Sequence, residues 1–358
     1  MANRLDDLKY ISKLDKSKML ALLTGFSDQL KDASEYVRGQ VLPKAAGISN
    51  IVFTGMGGSA IAGDLVKGAL SNELKAPFIV NRDYYLPGFV SSRILLFVSS
   101  YSGDTEETLS AYKAAKRKKA RIVVITSGGA LGKMASKDGY PLIKIPAGIP
   151  PRAALGYLFV PALTVLSKMG LIKDKEKDIN EAVNVLTGLR RDFLGPDVPL
   201  KKNIAKKTAL ALVGRIGAIY GWSGSSDCAV TRLRSQINEN SKALAISHLL
   251  PEMDHNEIVG YVHPKRIIND VVVVFLRDED DPPRITDRVE ITSSIIKNRV
   301  HKIIEIKSGG EGPLARICSL IYIGDFISFY LAILNGEDPS PVDEITFLKK
   351  ELSKRKYI

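Results

Sequence analysis

Twice along this chain a strand-length apolar run breaks into glycine and then into a helical pattern, and that repeat limits the fold more than any other feature. Residues 50–54 run into Gly55-Met56-Gly57-Gly58-Ser59, and a helical apolar pattern follows over residues 60–70. Further strand-length runs at 77–82, 94–100, 121–126 and 141–145 alternate with helical stretches. Such alternation gives a parallel sheet covered on both faces. A long apolar helix over 152–169 and a charged one over 173–194 close this half, and Gly195-Pro196-Asp197-Val198-Pro199 reads as a linker. The pattern then restarts with a strand over 209–213, a glycine turn, a long helix over 216–240 and a strand over 243–247. Strands at 270–276 and 302–306 flank a helix over 284–297. A long apolar helix (314–334) and a short amphipathic one (342–352) end the chain. The expectation is an α/β protein of two doubly wound domains with parallel sheets, residues 1–194 and 195–358, plus N- and C-terminal helices. In such sheets ligands bind beyond the carboxyl ends of the strands. That rule points to the loops after Thr54, Ser99, Ile145 and Val213.

Composition narrows the partners. The longest apolar runs, such as 271–276, have strand length and fall short of the roughly 20 residues a membrane span needs, so no membrane partner is expected. The first residues, Met1-Ala2-Asn3-Arg4-Leu5-Asp6-Asp7, lack the basic-then-apolar pattern of an export signal, and a cytoplasmic location is expected. Cys228 and Cys318 are the only cysteines and have no CxxC spacing, so neither a disulfide framework nor a zinc site follows from them. The net charge of +12 raises nucleic acid as a partner. The basic residues are scattered, however, and the one dense cluster, Lys116-Arg117-Lys118-Lys119, ends a helix whose dipole it complements. An anionic small substrate suits the charge equally well, and no nucleic-acid partner is expected.

Two loops carry the first chemistry. Gly55 to Ser59 presents backbone N–H groups at a helix N-terminus, with glycines that let an oxyanion come close. Gly55-x-Gly57-x-x-Ala60, with Asp83 beyond the next strand, also loosely matches a dinucleotide fingerprint. The second loop separates these readings. Ser100-Tyr101-Ser102-Gly103-Asp104-Thr105-Glu106-Glu107-Thr108 clusters the hydroxyls of Ser100, Ser102 and Thr105 where a helix begins. Hydroxyls and free amides there cradle a phosphomonoester, whereas a nicotinamide enzyme has no use for them.

Together, Gly-Met-Gly-Gly-Ser-Ala and Ser-Tyr-Ser-Gly-Asp-Thr-Glu-Glu-Thr resemble the phosphosugar-binding signature of the sugar-isomerase (SIS) fold. The resemblance implies two SIS-type, flavodoxin-like domains, with Gly57, Gly58, Ser59, Ser100, Ser102 and Thr105 on the substrate phosphate. Three later segments extend it: Pro151-Arg152-Ala153-Ala154-Leu155-Gly156-Tyr157, Arg232-Leu233-Arg234-Ser235-Gln236-Ile237-Asn238-Glu239-Asn240-Ser241-Lys242, and Pro251-Glu252-Met253-Asp254-His255-Asn256-Glu257. With them the chain is similar to the bifunctional phosphoglucose/phosphomannose isomerase family from residue 50 onward. A glutamate ending a long helix sits where the dipole disfavours an anion, which suits a carboxylate that takes a proton beside a carbonyl. The resemblance makes Glu239 that base and Arg152 the stabiliser of an enediolate. It gives His255 to sugar ring opening, across the interface of a homodimer with shared active sites. It also implies a lysine near the C-terminus that assists ring opening. If Ile345 and Leu348 define the buried face of the last helix, Lys349 fits that role better than Lys350. The plain alternatives are a helix-end salt bridge for Arg152, a surface glutamate, a structural histidine and an exposed lysine pair.

The spacing of His248, His255 and His263 forms no helical metal pair, so neither a metal nor any other cofactor is expected. The implied reaction is the interconversion of glucose 6-phosphate, and mannose 6-phosphate, with fructose 6-phosphate. The competing readings are a non-catalytic SIS sensor of sugar phosphates and an isomerase of another phosphosugar.

Overall fold

A computed structural model describes residues 2–355. The N-terminal helices are Leu8–Leu14 (α1), Met19–Thr24 (α2) and Phe26–Asp32 (α3). The first α/β unit follows as Asn50–Thr54 (β1), Gly57–Ala69 (α4), Phe78–Asn81 (β2), Ile94–Ser99 (β3), Glu106–Arg117 (α5), Arg121–Thr126 (β4), Gly129–Asp138 (α6) and Leu142–Lys144 (β5). Leu155–Lys168 (α7), Glu176–Leu189 (α8) and Ile204–Leu212 (α9) lead to the second. That unit comprises Ile216–Trp222 (β6), Asp227–Ser241 (α10), Ala245–Leu250 (β7), Lys265–Ile268 (α11), Val271–Arg277 (β8), Pro283–Ile296 (α12) and Lys302–Lys307 (β9). Pro313–Asn335 (α13) and Asp343–Ser353 (α14) complete the described chain.

Both sheets are wholly parallel, in the orders β2-β1-β3-β4-β5 and β7-β6-β8-β9. In each, the winding reverses beside its first strand, at β1/β3 and at β6/β8. The side-chain alternation of a strand then sorts the core into layers. Ile51 and Phe53 of β1 face a central helical layer, while Val52 faces an outer one with Leu96 and Tyr112. Val272, Val274 and Leu276 of β8 reach the same central layer from the other side, and Val273 and Phe275 face outward. One continuous core thus lies between the sheets, built from α4, α7, α8, α9, α10 and α13.

The second half begins later than the sequence pattern suggests. Of residues 209–213, expected as a strand, 209–212 finish α9 and Val213 caps it, while residues 216–222, expected as helix, form β6. Ala209-Leu210-Ala211-Leu212 are strong helix formers, and Asn203 caps the helix by accepting the Lys206 N–H at 2.9 Å. The loop after Val213 consequently enters β6, at the sheet edge opposite the one where ligands bind. Helix α10 starts only after the turn at Ser226, whose hydroxyl accepts from Trp222 N at 2.7 Å.

Helix α13 is the axis of the central layer. Every residue from Leu314 to Leu334 is buried, as expected of a helix apolar on all sides. By length and composition it is apolar enough to cross a bilayer, against the expectation that no stretch reaches that size, yet its whole circumference is covered by protein. Its one buried acid, Asp325, receives Arg232 of α10 through two bonds, Nε to Oδ1 at 2.9 Å and Nη2 to Oδ2 at 2.8 Å. Gln236 Nε2 adds a third at 3.0 Å.

Removing one partner of a buried pair strands the other charge. Asp325→Ala should therefore destabilise the fold by about 3–5 kcal/mol, read as a lowered urea midpoint. Replacing the pair together, Arg232→Met with Asp325→Leu, should lose less than that single change. Equal losses in the two proteins would contradict the stranded-charge account.

Candidate active site

The winding reversal between β1 and β3 opens a crevice at their carboxyl ends, the place where open α/β sheets bind ligands. The two loops leaving these strands carry the six residues expected at a phosphate. Gly57 takes φ +50, and a Cβ on Gly58 would lie 2.9 Å from Pro151 O, so only glycine lets the Pro151–Ala153 turn pack against this loop. Ser59 is buried, and its Oγ accepts from Tyr101 N at 3.3 Å, tying the first loop to the second. In the second loop Ser100 Oγ donates to Thr105 Oγ1 at 3.0 Å and accepts from Gly103 N at 3.1 Å. Ser102 is exposed, with its Oγ accepting from Asp104 N at 3.3 Å. Met56 and Thr105 occupy the N-cap positions of α4 and α5, and neither side chain caps its helix. Two helix N-termini with uncapped amides so converge beside buried hydroxyls, which is an anion-binding arrangement.

Arg152 lies behind the glycine loop in that Pro151–Ala153 turn. The turn is clamped from the N-terminal helices by Gln29, whose Nε2 donates to Ala153 O at 2.7 Å and whose Oε1 accepts from Gly156 N at 3.1 Å. The buried guanidinium donates through Nε to Asn240 Oδ1 at 2.7 Å, and through Nη2 to Pro339 O and Ser340 O at 2.8 and 2.7 Å. Its Nη1 faces Glu239 Oε2 at 3.8 Å. Burial lowers the Arg152 pKa from its ordinary value, against the raising effect of Glu239. A guanidinium stays protonated even so. Glu239 closes the last turn of α10, with its side chain 30% exposed. A cleft of about 200 Å³ joins these elements, lined by Gly57, Gly58, Arg82, Arg152, Arg234 and Glu239 among others.

Sequence reasoning missed Gln29, Asn240 and Arg82. Arg82 follows β2 directly, so the carboxyl-end rule applied to that strand finds it. Gln29 and Asn240 leave no local signal, because their roles depend on contacts across the fold.

His255 and Lys349 are not brought into this cleft. His255 is exposed in the turn after β7. Its neighbours are pinned: Met253 is buried, Asp254 accepts from Arg288 Nη1 at 2.8 Å and Thr292 Oγ1 at 3.0 Å, and Tyr220 donates to Glu257. Lys349 and Lys350 are both exposed on α14, a helix with no buried residue. Ile345 and Leu348, expected on a buried face, are 40% and 58% exposed. What holds α14 near the site is its leading loop. Lys242 Nζ donates to Asp338 O at 2.8 Å, beside the two carbonyls held by Arg152. Among the described residues no group of three or more His, Cys, Asp or Glu is placed to hold a metal ion.

A phosphate-type glycine loop at the switch point of one sheet, with Arg152 behind it and Glu239 facing that arginine from the other unit, defines a phosphosugar-binding protein of the SIS class. The model of the bacterial phospho-glucose isomerase C-terminal SIS domain matches residues 201–352. Over 330 residues, 92% of this chain and 97% of the relative, the chain is 46% identical to the bifunctional phosphoglucose/phosphomannose isomerase of Caldicellulosiruptor bescii. It is 37% identical to the Thermoplasma acidophilum enzyme of the same name, again over 92% of this chain and 97% of the relative. The chain belongs to the bifunctional phosphoglucose/phosphomannose isomerase family. Solved structures share the fold at low identity. One is a glucose-6-phosphate isomerase like protein from Thermus thermophilus, with TM-score 0.62 and 20% identity over 94% of this chain and 98% of that one. Another is the C-terminal domain of glucosamine-fructose-6-phosphate aminotransferase from Francisella tularensis, with TM-score 0.68 and 15% identity over 90% and 98%.

Beyond Arg82 of the cleft lies a titratable pair. Arg82 is ion-paired with Asp64 of α4, and Asp64 lies within electrostatic reach of Asp227 at the start of α10. Burial raises the Asp227 carboxyl above its ordinary 3.8, the Cys228 N–H opposes this, and Asp64 adds to it. Because the folded value is raised, the linked stability is full below the unfolded value and is lost as pH rises through the folded one. Asp227→Asn should accordingly raise the thermal midpoint at about pH 7.5, with the gain fading as pH falls toward about 4. A pH-independent difference between the two melting profiles would refute this.

Proposed function

We infer that the protein interconverts glucose 6-phosphate, and mannose 6-phosphate, with fructose 6-phosphate. The observation that carries the reading is the Arg152–Glu239 pair, 3.8 Å apart, in the cleft that the phosphate-type glycine loop opens into. The phosphate binds at the amides of Gly57 and Gly58 and the hydroxyls of Ser59, Ser100, Ser102 and Thr105. This uses helix dipoles and neutral donors, leaving the arginines free for the reacting end. Glu239 takes the proton from C2 of the open aldose and returns it to C1, through a cis-enediolate whose charge Arg152 stabilises. Glucose and mannose phosphates differ only at C2, so loss of that proton gives both the same enediolate. A site that lets the C2–C3 bond rotate, so that either face of C2 meets Glu239, then accepts either.

His255 and Lys349 belong to ring opening in this proposal, and both require a second copy of the chain. Support comes from their exposure outside the cleft, from the pinned loop that carries His255, and from the uncovered apolar side chains of α14. The proposed assembly is a homodimer in which each site borrows His255 from its partner. A cytoplasmic location is part of the same proposal. Both cysteines are free and buried, with burial pushing the Cys318 thiol up to about 12, so neither is a reactive thiolate.

A coupled assay with fructose 6-phosphate, run in excess chelator, tests the chemistry. Wild type should form glucose 6-phosphate and mannose 6-phosphate, and Glu239→Gln should lose at least ~100-fold in kcat. Binding without turnover by the wild type would instead favour a sensor. Subunit mixing tests the shared site. Glu239→Gln and His255→Asn chains, each inactive alone, should recover about a quarter of wild-type activity when co-expressed, because half the dimers are mixed and each mixed dimer has one intact site. No recovery from mixed dimers would leave each chain with its own histidine.

A further inference from the structure

The reaction leaves two cleft arginines unused. Helices α4 and α10 pack antiparallel along the cleft. At one end Gly57 and Gly58 meet Glu239, and at the other Asp64 of α4 lies near Asp227 of α10. Arg82 and Arg234 line the same cleft with Ile61, Thr231 and Ser235. Three of its four arginines have a carboxylate: Arg152 faces Glu239, Arg232 binds Asp325, and Arg82 pairs with Asp64. Arg234 has none among the described residues, and its Nε is buried without a hydrogen-bond partner. An uncompensated guanidinium with a buried, unsatisfied N–H is costly unless something else meets it. Arg234 precedes Glu239 by five residues, about 7.5 Å along the helix axis, within a side chain's reach of the reacting end of a bound sugar.

We propose that Arg234, with Arg82 opposite, forms a second anion subsite that accepts the C1 phosphate of a hexose bisphosphate whose other phosphate sits in the glycine and serine loops. The proposal rests on the sugar-phosphate reading above and adds a regulatory ligand to the same cleft. A phosphate carries nearly two negative charges near neutral pH, and the bidentate fork of Arg234 matches its oxygens. Such a ligand is no substrate for this reaction, because its C1 oxygen is esterified and the free aldose cannot form. It therefore binds in competition with substrate, and the enzyme's output falls as the bisphosphate accumulates.

The test is direct binding by calorimetry, with the full-length chain, of fructose 1,6-bisphosphate and of glucitol 6-phosphate, which has one phosphate and no reacting carbonyl. Wild type should bind the bisphosphate at least ~10-fold more tightly, since a desolvated charge-assisted contact is added. Arg234→Gln should remove at least ~10-fold of bisphosphate affinity and leave glucitol 6-phosphate within about twofold. Arg234→Lys, which keeps the charge but not the fork, should fall between. Thermal midpoints of both variants confirm folding. The subsite is overturned if the wild type does not prefer the bisphosphate, or if Arg234→Gln weakens both ligands alike. If the wild type binds neither ligand, the sugar-phosphate reading has failed and the subsite falls with it.

Discussion

The positions of Arg152 and Glu239 depend on one buried charge pair. Arg232 and Asp325 are taken out of water, a cost that is offset only because the geometry is bidentate and Gln236 fills a further acceptor site. From that pair the register spreads outward. Arg232 Nη2 also donates to Arg152 O at 2.7 Å, so the same guanidinium fixes the backbone that presents the cleft arginine. Asn240, two turns further along α10, donates to Ser328 Oγ of α13 at 3.0 Å and accepts from Arg152 Nε. The central helix, the helix ending in Glu239 and the turn carrying Arg152 are therefore one hydrogen-bonded body. The separation of Arg152 from Glu239 is set by the core rather than by the loop that bears the arginine.

The two sheets share a winding but divide the work. In the first, the reversal point is open and lined by uncapped amides. In the second, the loop after β8 is filled with its own ion pairs. Arg316 reaches Asp278 at 2.6 Å, and Arg277 reaches Asp281 at 2.7 Å. Acids held there repel a phosphate, so the second unit keeps the architecture without the anion site. It supplies Glu239 from the far end of a helix instead. In the proposed reading phosphate goes to the positive ends of α4 and α5 while the carboxylate stands at the negative end of α10, so the helix dipoles orient the cleft before any substrate enters.

What the sequence made legible follows from the range of the interactions involved. The glycine and serine loops were readable because their geometry is local: a glycine that must accept φ +50 or a close carbonyl, and hydroxyls at a helix start, leave their mark in consecutive residues. The alternation of strand and helix in the first unit was equally plain. The start of the second unit was not, because Val213-Gly214 and Trp222 to Ser226 both look like strand-to-helix turns until the helix propensity of Ala209 to Leu212 is weighed. Arg152 was readable as a candidate, but its orientation was not, since every partner that sets it is distant in sequence. The face of α14 was misjudged for a related reason. Amphipathic spacing identifies an apolar side but does not say which surface covers it.

That last point bears on how the reaction is partitioned. The groups proposed for phosphate binding and proton transfer are built into the rigid core, where position must hold to a fraction of an ångström. The groups assigned to ring opening, His255 and Lys349, lie on surface elements. The histidine's loop is rigidly pinned by Asp254 and Glu257, while α14 is tethered chiefly through the carbonyls held by Arg152 and Lys242. A group proposed for catalysis, kept in a defined conformation yet facing solvent, makes sense when a second surface completes its surroundings. Arg152 then has a double part. The guanidinium that faces Glu239 also holds the loop leading to α14, so a shift in that loop is felt beside the carboxylate. In the proposed dimer, covering α14 and setting the charge beside Glu239 become one event, which couples assembly to catalysis through a single buried side chain.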